Sequence, residues 1–176
     1  MTIPYATSGQ LGVNLATVYP AQSTDLYPYT QTVPFQLGQQ VTATDNSVWT
    51  FVQFGSGGVT GLGYVVTFDE AFAAVMLSTS NDVLGEKVGV APAAASATDY
   101  GWVQVYGTCD DIRVEQDALA NALLGPTADA GQLDDAAATG LYVQGLILTT
   151  ARGGTDGNAP GVLNYPIVNT RPAPAT

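Results

Sequence analysis

Histidine is absent from the 176 residues, and the chain holds one cysteine, Cys109, and one lysine, Lys87. Each shortage removes a class of chemistry. Without imidazole there is no Ser-His-Asp or Cys-His nucleophile, and the common zinc sites lose their usual ligand. With one cysteine there is no intrachain disulfide and no cysteine-rich metal site. Cations are scarce as well: Lys87, Arg113, Arg152 and Arg171 stand against 15 acidic residues, for a net charge of −11. That sign repels phosphate backbones and anionic lipid, so neither nucleic acid nor membrane is expected as a partner. Long apolar runs are missing too. Phe72 to Leu77 is among the longest, far short of the roughly 20 residues that span a bilayer. The opening MTIPYATSGQ has no basic region and no apolar stretch of signal type, so a chain made in the cytoplasm is expected.

What is present suits a folded domain. Hydrophobic residues reach 46% while charged residues reach only 11%, so neutral Thr, Ser, Gln, Asn and Gly must cover much of the surface. Such a surface loses little when buried against a flat partner, because few charges need desolvating.

Two textures divide the chain. Residues 1–34 space Pro4, Pro20, Pro28 and Pro34 between Tyr5, Tyr19, Tyr27 and Tyr29. Proline disfavours helix and central strand, so this segment predicts an extended arm. The arm packs either on its own domain or on a neighbouring subunit. From Phe35 short strand-like runs alternate with turn signals. The candidates are 36–42, 47–54, 64–68, 71–77, 87–91, 100–106, 112–115, 141–149 and 162–168. In YGWVQVY, Trp102, Gln104 and Tyr106 share one face, with Val103 and Val105 on the other. Gly145 marks a possible bulge, and Pro166 places the last run at a sheet edge. Gln116 to Leu124 is the one plausible helix, ended by Gly125-Pro126, although a loop is the alternative. The tail from Thr170 to Thr176 is Pro/Ala-rich and expected to be loosely ordered. Many short strands with Gly, Asp and Asn turns predict an all-β domain, a small sandwich or barrel over residues 35–169.

Candidate chemistry is thin. The acidic pairs Asp69-Glu70, Asp110-Asp111 and Asp134-Asp135 read as turn acids near strand ends rather than a glycosidase pair. Asp129, Asp134 and Asp135 share a loop that offers oxygens to a divalent ion, but no EF-hand spacing occurs and no metal or cofactor is expected. The glycine-rich stretches Gly55–Gly63 and Gly153–Gly161 lack the G-K-[ST] of a phosphate loop and read as flexible tips. Cys109 precedes Asp110 and Asp111, whose charges raise a thiol pKa, so it reads as structural. Lys87 beside Glu86 reads as a solvated charge pair. Trp49, Trp102, Tyr100, Tyr106 and Tyr142 either plug a core or interface, or form a sugar-stacking platform.

Three stretches carry a resemblance. They are LGQQVTATDNSVWTFVQ (Leu37 to Gln53), VGVAPAAASATDYGWVQVYGTCDDIRV (Val88 to Val114) and GPTADAGQLDDAAATGLYVQGLILTTARGG (Gly125 to Gly154). Together they resemble the decoration, or cement, proteins and minor head proteins of tailed-phage capsids, across about residues 35–165. The resemblance implies a β-rich fold, a homo-oligomer (often a trimer), and attachment to the major capsid protein on the outer face of the virion. It implies no catalytic residue, so the chain is not expected to be an enzyme. On this expectation Tyr5, Tyr19, Tyr27 and Tyr29 of the arm, with Trp102 and Tyr106 of the aromatic strand, are the candidate capsid or subunit contacts. The alternatives are a particle-displayed carbohydrate-binding or host-adhesion module, and a hydrolase working through carboxylates alone.

Overall fold

The computed structural model describes residues 13–21, 33–136 and 140–170. Ten strands run in chain order: β1 Gln40–Thr42, β2 Val48–Phe54, β3 Val65–Phe68, β4 Ala73–Met76, β5 Lys87–Val90, β6 Tyr100–Val114, β7 Gly125–Pro126, β8 Leu133–Asp134, β9 Leu141–Leu148 and β10 Gly157–Thr170. No helix occurs among the described residues, and the fold is all-β.

All ten strands join one mixed sheet. The sheet curls until it meets itself. β2 pairs β4 in parallel, β4 pairs β3, β3 pairs β5, β5 touches β6 at Val90–Gln104, and β6 pairs back along β2. The inward side chains of this circuit, Val52, Phe54, Val66, Phe68, Val103 and Val105, form a barrel-like inner core. β3 reads VVTF and is buried throughout, because it has this core on one face and a second on the other. The second core sets Val65, Val88 and Val90 against Ile112, Leu146 and Leu163 of β6, β9 and β10.

A third cluster lies outside the barrel, where Trp49, Phe51 and Trp102 are roofed by Leu15, Tyr19 and Phe35. Residues 13–21 therefore belong to the domain rather than to a free arm. Leu15 is fully buried. Tyr19 and Tyr100 exchange backbone hydrogen bonds, each 2.8 Å, and the Ala21 amide donates to Asp99 Oδ1 at 3.1 Å. Tyr5, Tyr27, Tyr29 and the tail after Thr170 lie outside the described residues.

Three expectations need correction. First, residues 116–124 form turns. Asp117 and Asn121 sit at φ 61° and 58°, outside the right-handed helical region. Their stretch is also claimed elsewhere: Asn121 N–H donates to Leu148 O, Leu119 N–H to Asp135 Oδ1, and Ala118 O accepts from Arg152 N–H. Second, the runs at 100–106 and 112–115 are one strand of 15 residues. Gly107, at φ 96°, lets β6 turn past the end of β2, where an added Cβ would meet Ser47 Cα at 3.0 Å. Gln104 spans that irregularity, its Nε2 donating to Tyr106 O and Thr108 O. Third, β10 is central, bonded to β5, β6 and β9. Its prolines are tolerated because both sit at register shifts, Pro160 between Ala159 and Gly161, and Pro166 between Leu163 and Ile167. Gly145, at φ 85°, faces the second shift, as its sequence suggested.

Candidate functional site

Pairing in β6, β9 and β10 assembles a surface that no single segment announces. Val162 of β10 lies opposite Ile147 of β9 and Thr108 of β6, and Asn164 lies opposite Tyr106. Directly opposed residues in an antiparallel pair project to the same face. Ile147 is 45% exposed, Val162 43%, Tyr106 39% and Tyr165 52%. The rings of Tyr106 and Tyr165 sit 5.3 Å apart at 30°. The result is an uncharged strip across three strands, in which these four side chains are interleaved with exposed Thr108 and Asn164, bounded along β6 by exposed Asp110.

Tyr106 is the one expected contact residue that this surface contains. Trp102 is not at the surface: it is 1% exposed, with the rings of Phe35 and Phe51 each 5.0 Å away. Strand alternation predicts one face for Trp102 and Tyr106, but the β2–β6 register shifts between them: Trp102 lies opposite Phe51 under the roof of Leu15 and Phe35, while Tyr106 lies opposite Val48, which packs on the barrel core. Tyr19 is half-buried and spends its ring on Phe35 and Phe51, at 5.7 and 5.9 Å edge-to-face, and partial burial pushes its phenol pKa up. Trp49 and Tyr142 are buried too. The aromatics thus plug the core, with Tyr106 the exception. Tyr165, Val162 and Ile147 carried no local signal, because their meeting depends on the register of distant strands.

Three concavities among the described residues bear on the chemistry, and one of them shares Tyr165 with the strip. The smallest, about 110 Å³, is acidic, lined by Asp45, Asp110 and Asp111 with Cys109 and Gln104. Two of its three carboxylates are engaged: Asp45 accepts from Ser47, and Asp111 from Asn158 at 3.2 Å. Burial pushes the Cys109 thiol up to about 12; the charges of Asp111 and Asp110 add to this, against its hydrogen bond to Asp111 O. The largest, about 360 Å³, carries Asp69, Glu70 and Glu86 beside Val83 and Leu84. Asp69 holds its own turn, accepting from the Ala71 and Ala73 amides. A third cavity, about 230 Å³, opens at one end of the barrel and is floored by Phe68 and Val105. Lys87 stands at its rim with its ammonium 5.0 Å over the Phe72 ring. Glu86 instead accepts from Thr67 at 2.8 Å, so the two neighbours do not form the surface pair that adjacency suggested.

The acidic pairs do not converge. Asp110 and Asp111 lie inside β6 rather than at a strand end, Asp135 receives the Leu119 amide, and no cluster of three metal-ligating acids or thiols forms among the described residues. The Gly55–Gly63 segment is pinned rather than a loose tip: Val59 bridges Ala95, and an added Cβ on Gly58 would meet Ala95 O at 2.2 Å. No helix among the described residues is long and apolar enough to cross a membrane. No protein family, curated protein or solved structure matches the chain.

Proposed function

We propose that this chain is a decoration or cement protein of a tailed-phage capsid, attached as a homo-oligomer to the outer face of the major capsid protein. The observation that carries this is the strip of Ile147, Val162, Tyr106 and Tyr165, an uncharged band rich in exposed apolar groups on a chain of net charge −11. Association between acidic bodies is least opposed where charge is absent, and aromatic residues are enriched where interfaces concentrate their energy. Weak contacts of this size gain strength when several copies are joined, as avidity on a repeating shell requires. The resemblance of residues 35–165 to phage decoration proteins supports the same reading. No catalytic step is assigned to any residue.

Mass spectrometry of gradient-purified particles tests it by counting this chain against the major shell protein. A copy number fixed by the symmetry of the shell is expected. Complete absence from particles overturns the proposal. A second reading, a glycan-binding module displayed on the particle, is favoured by the exposed tilted Tyr106–Tyr165 pair, since tyrosine faces suit sugar stacking. A few copies per particle, with saturable glycan binding abolished by Tyr165→Ala, would select it.

A further inference from the structure

We propose that the cavity at the open end of the barrel binds a small apolar carboxylate, with Lys87 holding the carboxylate and Phe68, Val105 and Ile167 enclosing the apolar body.

Charge is the first argument. The other two concavities are lined by Asp45, Asp110 and Asp111, and by Asp69, Glu70 and Glu86. Of these three, the barrel-end cavity alone has no acidic lining residue, in a chain with 15 acids, and the one lysine of the chain lines it. Lys87 also stands at the edge of the Asp69–Glu86 hollow, yet its described contact is with the face of Phe72. A cation poised on an aromatic face beside an apolar bowl complements an anion with a greasy tail. Tyr165 also lines the cavity, and so does Gln40, whose amide donates to Thr50 Oγ1 at 3.2 Å and retains a second hydrogen.

Backbone strain is the second argument. Among the described residues six that are not glycine have positive φ, and four are Asn46, Thr98, Asp117 and Asn121, in turns or loops. The other two are aromatic, Phe72 at φ 60° and Tyr165 at φ 46°, and both line this cavity. A bulky residue in the left-handed region is a true outlier, and such strain gathers at ligand sites.

Volume limits the ligand. At about 230 Å³ the space exceeds the roughly 150 Å³ that houses benzene, and falls below the roughly 300–1,000 Å³ of drug-sized sites. One ring or a short alkyl chain fits. The class is therefore short fatty or aryl carboxylates, independent of any shell attachment.

The test titrates the full chain with octanoate, with octanol and with octylammonium, by calorimetry and by NMR shift mapping. One saturable octanoate site is expected, with shifts centred on Val105 and Ile167. Octanol should bind at least tenfold more weakly, and octylammonium should not saturate. Lys87→Met, at an exposed position, should weaken octanoate at least tenfold and leave octanol unchanged. Equal binding of octanoate and octanol overturns the proposal. So does unaltered octanoate binding by Lys87→Met, shifts centred elsewhere, or no saturable site for octanoate.

Discussion

The two halves of strand β6 share a backbone and differ in what covers them. From Tyr100 to Val105 both faces are hidden, Val103 and Val105 in the barrel and Trp102 and Gln104 outside it. From Tyr106 onward one face returns to water, and exposed Tyr106, Thr108 and Asp110 alternate with buried residues. The cause lies far away in sequence. Residues 13–21 and Phe35 roof the first half, while the second half pairs with β10, which carries β9 on its far edge, and leaves Tyr106, Thr108 and Asp110 exposed. An aromatic residue therefore serves the core at Trp102 and the surface at Tyr106, although the two stand in one strand on either side of a register shift. Cover, rather than residue type, separates a plug from a contact.

The largest expected effect falls on the covered half. Trp102→Ala should cost roughly 3–5 kcal/mol, from lost burial and the cavity left among Phe35, Phe51 and Leu15. Denaturant unfolding measures it. A cost below about 1.5 kcal/mol would mean that the roof of 13–21 and Phe35 does not seal this face, and the contrast between the halves would collapse.

A smaller effect belongs to Cys109, on the buried side of the open half. Its folded pKa of about 12 lies above the ordinary 9.0. The folded state therefore keeps the thiol proton after the unfolded chain has lost it. The resulting stability is full below pH 9 and drains away as pH rises toward 12, by at most about 1.4 kcal/mol per unit. Unfolding at pH 8 and pH 10 should show a loss of about 1 kcal/mol, which Cys109→Ala removes. An unchanged slope in that variant would assign the alkaline loss to the tyrosines instead.

Much of the fold was legible because most strands announce themselves locally. Val48–Phe54, Val65–Phe68, Lys87–Val90 and Leu141–Leu148 are apolar or alternating runs between turn residues, and each formed close to its expected limits. The failures share a cause. Gly107 to Asp111 has no strand signature, and it is held in β6 by pairing with β10. Gln116 to Leu124 has helix-forming residues, but its backbone groups serve Leu148, Asp135 and Arg152. Prolines 160 and 166 read as edge signals because a bulge cannot be seen from one strand. The candidate surface was legible only as Tyr106. Periodicity tells which face a residue joins, and only tertiary packing tells what lies over that face. The same limit hid the barrel-end cavity, whose walls come from β1, β2, β3, β5, β6, β10 and the turn at Phe72.

The smallest expected effect tests the open half directly. Val162→Thr keeps the branched shape that strands favour and changes only the polarity of an exposed group. Stability should move by no more than about 0.5 kcal/mol, as for surface positions generally. The same holds for Ile147→Thr, opposite it across the β9–β10 pair. A denaturation midpoint shifted by more than about 1.5 kcal/mol in either variant would show that the strip is packed in the isolated chain, and would remove it as a contact surface. If stability stays and attachment to particles falls at least tenfold, these side chains are kept apolar for something outside the fold.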